Sequence, residues 1–170
     1  MADDFALKLP VSIRRCQAPD LRALEWFGLH KTDRLVIANA FRRHCAGELL
    51  MLVADADGFP IGQVWIDFDR LALERTGILW ALRVFPILRG RGIGTRLVAE
   101  AERHLRRRGY AVSRLGVEKD NPRARALYQR LGYRLIREEQ QPFAYDEPDG
   151  RLASGVADLW ILEKRLARAA

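Results

Sequence analysis

Disulfide and metal chemistry have little to work with in this chain. Two cysteines, Cys16 and Cys45, and three histidines, His30, His44 and His104, are scattered over 170 residues without motif spacing. That pattern excludes a disulfide framework and supports no metal site, and both thiols are expected to be buried or inert. No apolar run approaches the ~20 residues that a membrane-spanning helix needs. The first residues, Met1-Ala2-Asp3-Asp4-Phe5, are acidic where a signal peptide would be basic, so a cytoplasmic protein is expected. Low-complexity tracts, internal repeats and linkers are also missing. The expectation is one globular domain over residues 1–170, with its core from about 11 to 164.

What the chain has in excess is positive charge, +7 net. Arg103, Arg106, Arg107 and Arg108 fall on the polar side of one predicted helix, and Arg123, Arg125 and Arg130 decorate the next. No aromatic interleaving, zinc-finger or RNA-recognition motif accompanies them. The charge reads as a basic surface around an anionic ligand, with nucleic-acid binding as the lesser alternative.

The chain is organised around Leu88-Arg89-Gly90-Arg91-Gly92-Ile93-Gly94-Thr95-Arg96-Leu97. An apolar run, Ile78 to Phe85, enters it through Pro86, and an amphipathic stretch leaves it and ends at Gly109. Strand, Gly-rich turn and helix follow from that order. Glycines at alternate positions leave amide groups uncovered, and a helix start aims free N–H groups and its positive dipole end at an anion. Phosphate is the expected occupant, with Arg89 and Arg91 able to add charge-assisted contacts. A Rossmann fingerprint would want glycine where Thr95 stands, although Glu118 after the next strand keeps that reading open. A Walker A loop lacks its Gly-Lys-Ser/Thr, and a plain tight turn with solvent-facing arginines remains possible at this point.

Around this turn the pattern predicts a strand over 11–16 and two helices forming a hairpin. The first helix carries Leu21, Leu24 and Phe27 inward; the second is capped by Thr32, with Leu35, Ala38, Ala40 and Phe41 inward. Strands over 48–54 and 61–68 flank a turn at Asp57-Gly58. Beyond the Gly-rich turn, Ile93, Leu97, Val98, Ala101 and Leu105 share one helix face, and a parallel strand spans 111–117. Asn121-Pro122 reads as N-cap and first turn of a helix with Ala124, Leu127, Tyr128 and Leu131 inward. A strand over 133–136, an irregular segment from 138 to 155 and a last strand over 156–163 complete the reading.

This order resembles the GNAT superfamily of acetyl-CoA-dependent N-acetyltransferases. Arg89-Gly90-Arg91-Gly92-Ile93-Gly94 matches that family's Arg/Gln-x-x-Gly-x-Gly/Ala signature at every fixed position. Asn121-Pro122, Ala124, Leu127-Tyr128 and Leu131-Gly132-Tyr133 match its second block at the right separation. The resemblance implies an α/β (α+β) fold: a mixed, mostly antiparallel sheet of six to seven strands, flanked by about four helices, with its central parallel strands splayed. It implies acetyl-CoA as cosubstrate, the pyrophosphate on the amides of Arg89, Gly90, Arg91, Gly92, Ile93, Gly94 and Thr95. The pantetheine arm would run along Leu82, Arg83 and Val84, and Asn121 would touch the cofactor or serve only as N-cap. Tyr128 matches the position that assists departure of the coenzyme A thiolate; spacing alone would make it one more core residue.

The family often places a glutamate on the fourth strand to deprotonate the amine, and Ile78 to Val84 holds no acid. Asp67, Glu74 and Glu118 are the remaining carboxylate candidates, alongside water alone. Acceptor contacts are expected from the first helices and from residues 140–155, and Trp26, Phe27 and Trp65 either line an acceptor pocket or fill the core. Phe143, Tyr145, Asp146, Glu147 and Asp149 give that segment aromatic and negative character. The expected activity is transfer of acetyl to a primary amine of a small molecule in a ternary complex, with a homodimer allowed. The alternatives are a non-catalytic acetyl-CoA sensor and a protein N-terminal or lysine acetyltransferase.

Overall fold

Leu49 to Ala54 contains no polar residue, which suits a strand covered on both faces. In the computed structural model, which describes residues 8–146 and 152–167, this run forms β2 (Leu49–Ala56). It lies between β1 (Ser12–Arg15) and β3 (Phe59–Asp67). Then follow β4 (Thr76–Val84), β5 (Val112–Glu118), β6 (Arg134–Asp146) and β7 (Leu152–Arg165), all in one sheet of order β1-β2-β3-β4-β5-β7-β6. Every pairing is antiparallel except β4 with β5. Among the described residues the helices are α1 (Asp20–Ala23), α2 (Arg34–Cys45), α3 (Ile93–Arg107) and α4 (Pro122–Arg130). The mixed sheet and four helices agree with the expected fold, and three antiparallel strands ahead of the glycine turn remove the Rossmann reading.

The sheet separates two cores. Leu50, Leu52, Val64, Ile66, Leu97, Val98, Ala101 and Leu105 pack on the α3 face, whereas Met51, Val53, Trp65, Leu24, Ile37 and Ala40 pack on the α1–α2 face. Such alternation is the period of two along a strand made visible on both sides. Truncating a fully buried leucine here, Leu97 for example, is expected to cost about 2–5 kcal/mol.

Three local expectations need correction. The first helix lasts one turn, because Trp26 and Phe27 take left-handed backbone (φ 43° and 58°). Phe27 is therefore 88% exposed and stacks on Phe59 instead of facing inward. In α2 the cap position belongs to Asp33, and Ile37, Ala40 and half-buried Phe41 face the sheet while Leu35 and Ala38 do not. The unbroken apolar run Leu35-Val36-Ile37-Ala38 leaves the helical phase undetermined by sequence. Of the segment taken as irregular, the described residues are the end of β6 and the start of β7, paired antiparallel in a long ladder from Arg134–Glu163 to Asp146–Leu152. Its mostly exposed residues carry no hydrophobic alternation to announce it. Cys16 is buried as expected, and burial pushes its thiol up to about 12, but Cys45 is exposed.

Three arginines on and just after α3 are occupied within the protein. Arg103 pairs with Glu100 and Arg106 with Glu102, while Arg108 lies over the Phe68 ring at 3.9 Å. This partnered face lowers the case for a phosphate track along α3. No described helix is long and apolar enough to cross a membrane.

Candidate active site

The parallel pairing of β4 and β5 runs from Thr76–Val112 only to Leu79–Leu115. Beyond it β5 continues against β7, and β4 continues against β3 alone. The two central strands thus part, leaving one edge of β4 from Trp80 to Val84 with unpaired backbone groups. A bulge sits at the parting: Gln63 opposes Arg83 but Trp65 opposes Trp80, so Ala81 is the extra residue on β4, at φ 52°. Left-handed backbone on an alanine costs on the order of 1 kcal/mol and concentrates at functional positions.

A cleft of about 730 Å³ occupies this opening. One end is the glycine turn. Gly90 and Gly92 adopt φ 80° and 81°, a conformation that side chains resist, and Gly92 forms the N-cap of α3. Arg96 N donates to Gly92 O at 3.1 Å as the first intrahelical bond, so the amides of Ile93, Gly94 and Thr95 stay free for an anion. A Cβ on Gly94 would meet Val84, Leu82 and Leu127 side chains at 3.7–4.0 Å, which shows how closely helix start and cleft walls approach.

Most residues expected at this site line the cleft: Leu82, Arg83, Val84, Arg89, Gly90, Gly92, Ile93, Gly94, Thr95, Asn121 and Tyr128. Arg91 does not, and the amide of Arg89 is already donated to Pro86 O at 3.2 Å, with its Nε bound to Val84 O at 3.1 Å. The free amides of the turn are therefore those after Arg89. Asn121 is the N-cap of α4, its Oδ1 accepting from Ala124 N at 3.0 Å, and it also lines the cleft. Tyr128 is buried, its ring meets Tyr133 edge-on at 5.6 Å, and Tyr133 Oη in turn is 2.7 Å from Ser113 Oγ. Burial pushes the Tyr128 phenol well above its ordinary value, so it is a hydrogen-bond donor throughout the neutral range.

Of the three carboxylates, the structure leaves one in place. Asp67 is 1% exposed and is taken up by Arg43 Nη1 at 2.9 Å and by the amides of Asp69 and Arg70 at 3.0 and 3.1 Å. Glu74 is away from the cleft beside Arg114, whereas Glu118 lines it. Trp26 and Trp65 are core, with Trp26 Nε1 donating to Pro60 O at 2.7 Å, and Phe27 lies outside the cleft. Phe143 is on β6, which packs against the Lys31–Asp33 turn; Glu147 and Asp149 lie outside the described residues.

Sequence reasoning missed His30, Trp80, Arg123 and Arg130 in the lining. Arg123 follows the Asn121-Pro122 start, and its Nη2 would lie 3.7 Å from a Cβ on Gly90, a second positive group over the cradle. Trp80 meets Trp65 edge-on at 4.6 Å, and its buried Nε1 has no partner among the described residues. His30 stands in a loop between helices, where periodicity carries no signal.

A model of the acetyltransferase (GNAT) family matches residues 14–133. The chain belongs to the GNAT acetyltransferase family. That is a family of acyltransferases whose acyl donor is acetyl-CoA, and the free amides, glycine cradle and open β4 edge fit such a donor. The GNAT chain is 41% identical over 86 residues to a mycothiol acetyltransferase of Beutenbergia cavernae, a match that covers 50% of this chain and 28% of that protein. It spans under a third of that relative's length. Its fold is similar to the PaiA N-acetyltransferase of Thermoplasma acidophilum in complex with coenzyme A (TM-score 0.69, 20% identity, 92% of this chain and 99% of the other). The ribosomal-protein-S18-alanine N-acetyltransferase of Escherichia coli is as similar (TM-score 0.69, 20% identity, 95% and 97%).

Proposed function

We propose that this protein moves the acetyl group of acetyl-CoA to a primary amine of a small molecule by direct attack in a ternary complex. The observation that carries the proposal is the parting of β4 and β5. It joins a phosphate cradle on the α3–α4 face to a pocket on the α1–α2 face, so two substrates can meet across the bulge at Ala81. A small-molecule acceptor is supported by the likeness to a mycothiol acetyltransferase.

Each residue then has a task. The amides of Ile93, Gly94 and Thr95, with Arg123 beside them, hold the pyrophosphate, and Asn121 flanks it. The β4 edge at Leu82, Arg83 and Val84, where Val84 O is shared with Arg89 Nε, pairs its remaining free backbone with the amides of the pantetheine arm, as an edge strand pairs with an added one. A β4 amide at the bulge donates to the thioester oxygen as negative charge develops there. Tyr128 donates a hydrogen bond to the departing sulfur. Acetyl-CoA itself supplies an activated acetyl thioester.

A panel of amines tests this reading, with thiol release from acetyl-CoA corrected for hydrolysis. Aminoglycosides, polyamines, amino-sugar cysteine conjugates and lysine peptides are the arms. Release with a small amine above the peptide arms supports the proposal; tight acetyl-CoA binding without release in any arm overturns it in favour of a non-catalytic sensor.

A further inference from the structure

The α1–α2 loop brings an imidazole to the cleft beside a bound carboxylate. His30 lines the cleft with Trp80, Ala81 and Arg83. Its Nδ1 lies 3.3 Å from Asp33 Oδ2, and that same oxygen accepts from Arg83 Nη1 at 2.6 Å. A carboxylate only accepts, so this contact favours the His30 tautomer with its proton on Nδ1 and its lone pair on Nε2. Nε2 has no hydrogen-bond partner among the described residues. The ring is held edge-on to Trp26 at 5.3 Å, and the His30 amide is tied to Glu25 O at 3.1 Å. This is an oriented base on the amine side of a strand that carries no acid.

We propose that His30 Nε2 accepts the proton from the acceptor ammonium, with Asp33 as its positioning residue. The inference rests on the acetyl-transfer reading. The charged groups around the ring favour the neutral imidazole: burial lowers its pKa below the ordinary value, Arg83 lowers it further, Asp33 opposes that and Arg89 adds to it. The neighbouring Glu25 carboxylate is engaged by Arg34 at 2.7 Å. The proton balance is complete without a further reagent. One ammonium proton goes to Nε2 and then to solvent, and the nitrogen lone pair forms the N–C bond. The C–S bond breaks, and the second nitrogen proton ends on the coenzyme A sulfur.

The test compares two small nucleophiles, ethylamine, which is protonated at pH 7, and methoxyamine, which is neutral there. For His30→Gln the ratio of ethylamine to methoxyamine turnover should fall by about 10²-fold, the usual scale of general-base assistance. The ethylamine rate should then rise tenfold per pH unit instead of levelling above the imidazole pKa. An equal loss with both nucleophiles makes His30 structural and overturns the proposal, as does an unchanged ratio. A readout independent of turnover is the nitrogen NMR signature of the ring without acetyl-CoA. It should show the Nδ1–H tautomer in the wild type and lose that preference in Asp33→Asn; the Nε2–H tautomer in the wild type also overturns it. If the wild type binds acetyl-CoA yet releases no thiol with either nucleophile or any panel amine, the acetyl-transfer reading itself fails and this inference falls with it.

Discussion

Gly77 of β4 packs directly on Leu105 of α3: a Cβ at position 77 would overlap Leu105 Cδ2 and lie 3.1 Å from Cδ1. Leu105 is fully buried, so it has no free direction in which to retreat. Gly77→Ala is expected to destabilise the fold by about 1–3 kcal/mol through overpacking. Urea unfolding measures it, and adding Leu105→Ala should show coupling in a double-mutant cycle, since the smaller side chain admits the methyl group.

Asp67 links α2 to the end of β3 and governs part of the acid stability. Burial alone would raise its carboxyl, but Arg43 and the amides of Asp69 and Arg70 outweigh burial and hold it below the ordinary carboxylate range. In acid the unfolded chain takes up this proton before the folded one does. The stabilisation is therefore fully present above the ordinary carboxylate range and is lost as pH falls through the lowered folded value. Asp67→Asn should destabilise strongly at pH 7, with a penalty that shrinks toward pH 3, as followed by unfolding at a series of pH values.

Tyr128→Phe preserves the edge-on contact with Tyr133 and removes one hydroxyl. Turnover is expected to drop about 10²-fold, in the range for loss of one positioned proton donor, with little change in calorimetric affinity for acetyl-CoA. Because burial keeps the phenol protonated, the wild-type pH profile should show no loss of rate near pH 10 attributable to Tyr128. Equal turnover in the two proteins would return Tyr128 to a packing role.

Gly92→Asp places a carboxylate at the N-cap of α3, where the pyrophosphate is proposed to lie. Acetyl-CoA binding should become undetectable by calorimetry. Gly92→Ala separates charge from strain, since it introduces only the left-handed penalty of about 1–2 kcal/mol. Retained affinity in the aspartate variant would remove the turn from the binding site.

The sequence by itself determined the elements whose signals are local. Gly90 and Gly92 take the backbone that only glycine adopts easily, Asn121-Pro122 starts α4, and the stripe from Ile93 to Leu105 fixes the buried face of α3. These depend on neighbours within a few positions, which a linear chain displays. Tertiary structure alone decided that His30, Asp33 and Arg83 meet, that Glu118 reaches the cleft while Asp67 is consumed by Arg43, and that β6 and β7 extend into a long antiparallel ladder. Arg83 and Asp33 are 50 positions apart, and contacts at such separation follow from how the sheet folds the loops onto it, which no local period records. The glycine-turn end of the cleft was therefore legible in advance, and the end at His30 was not.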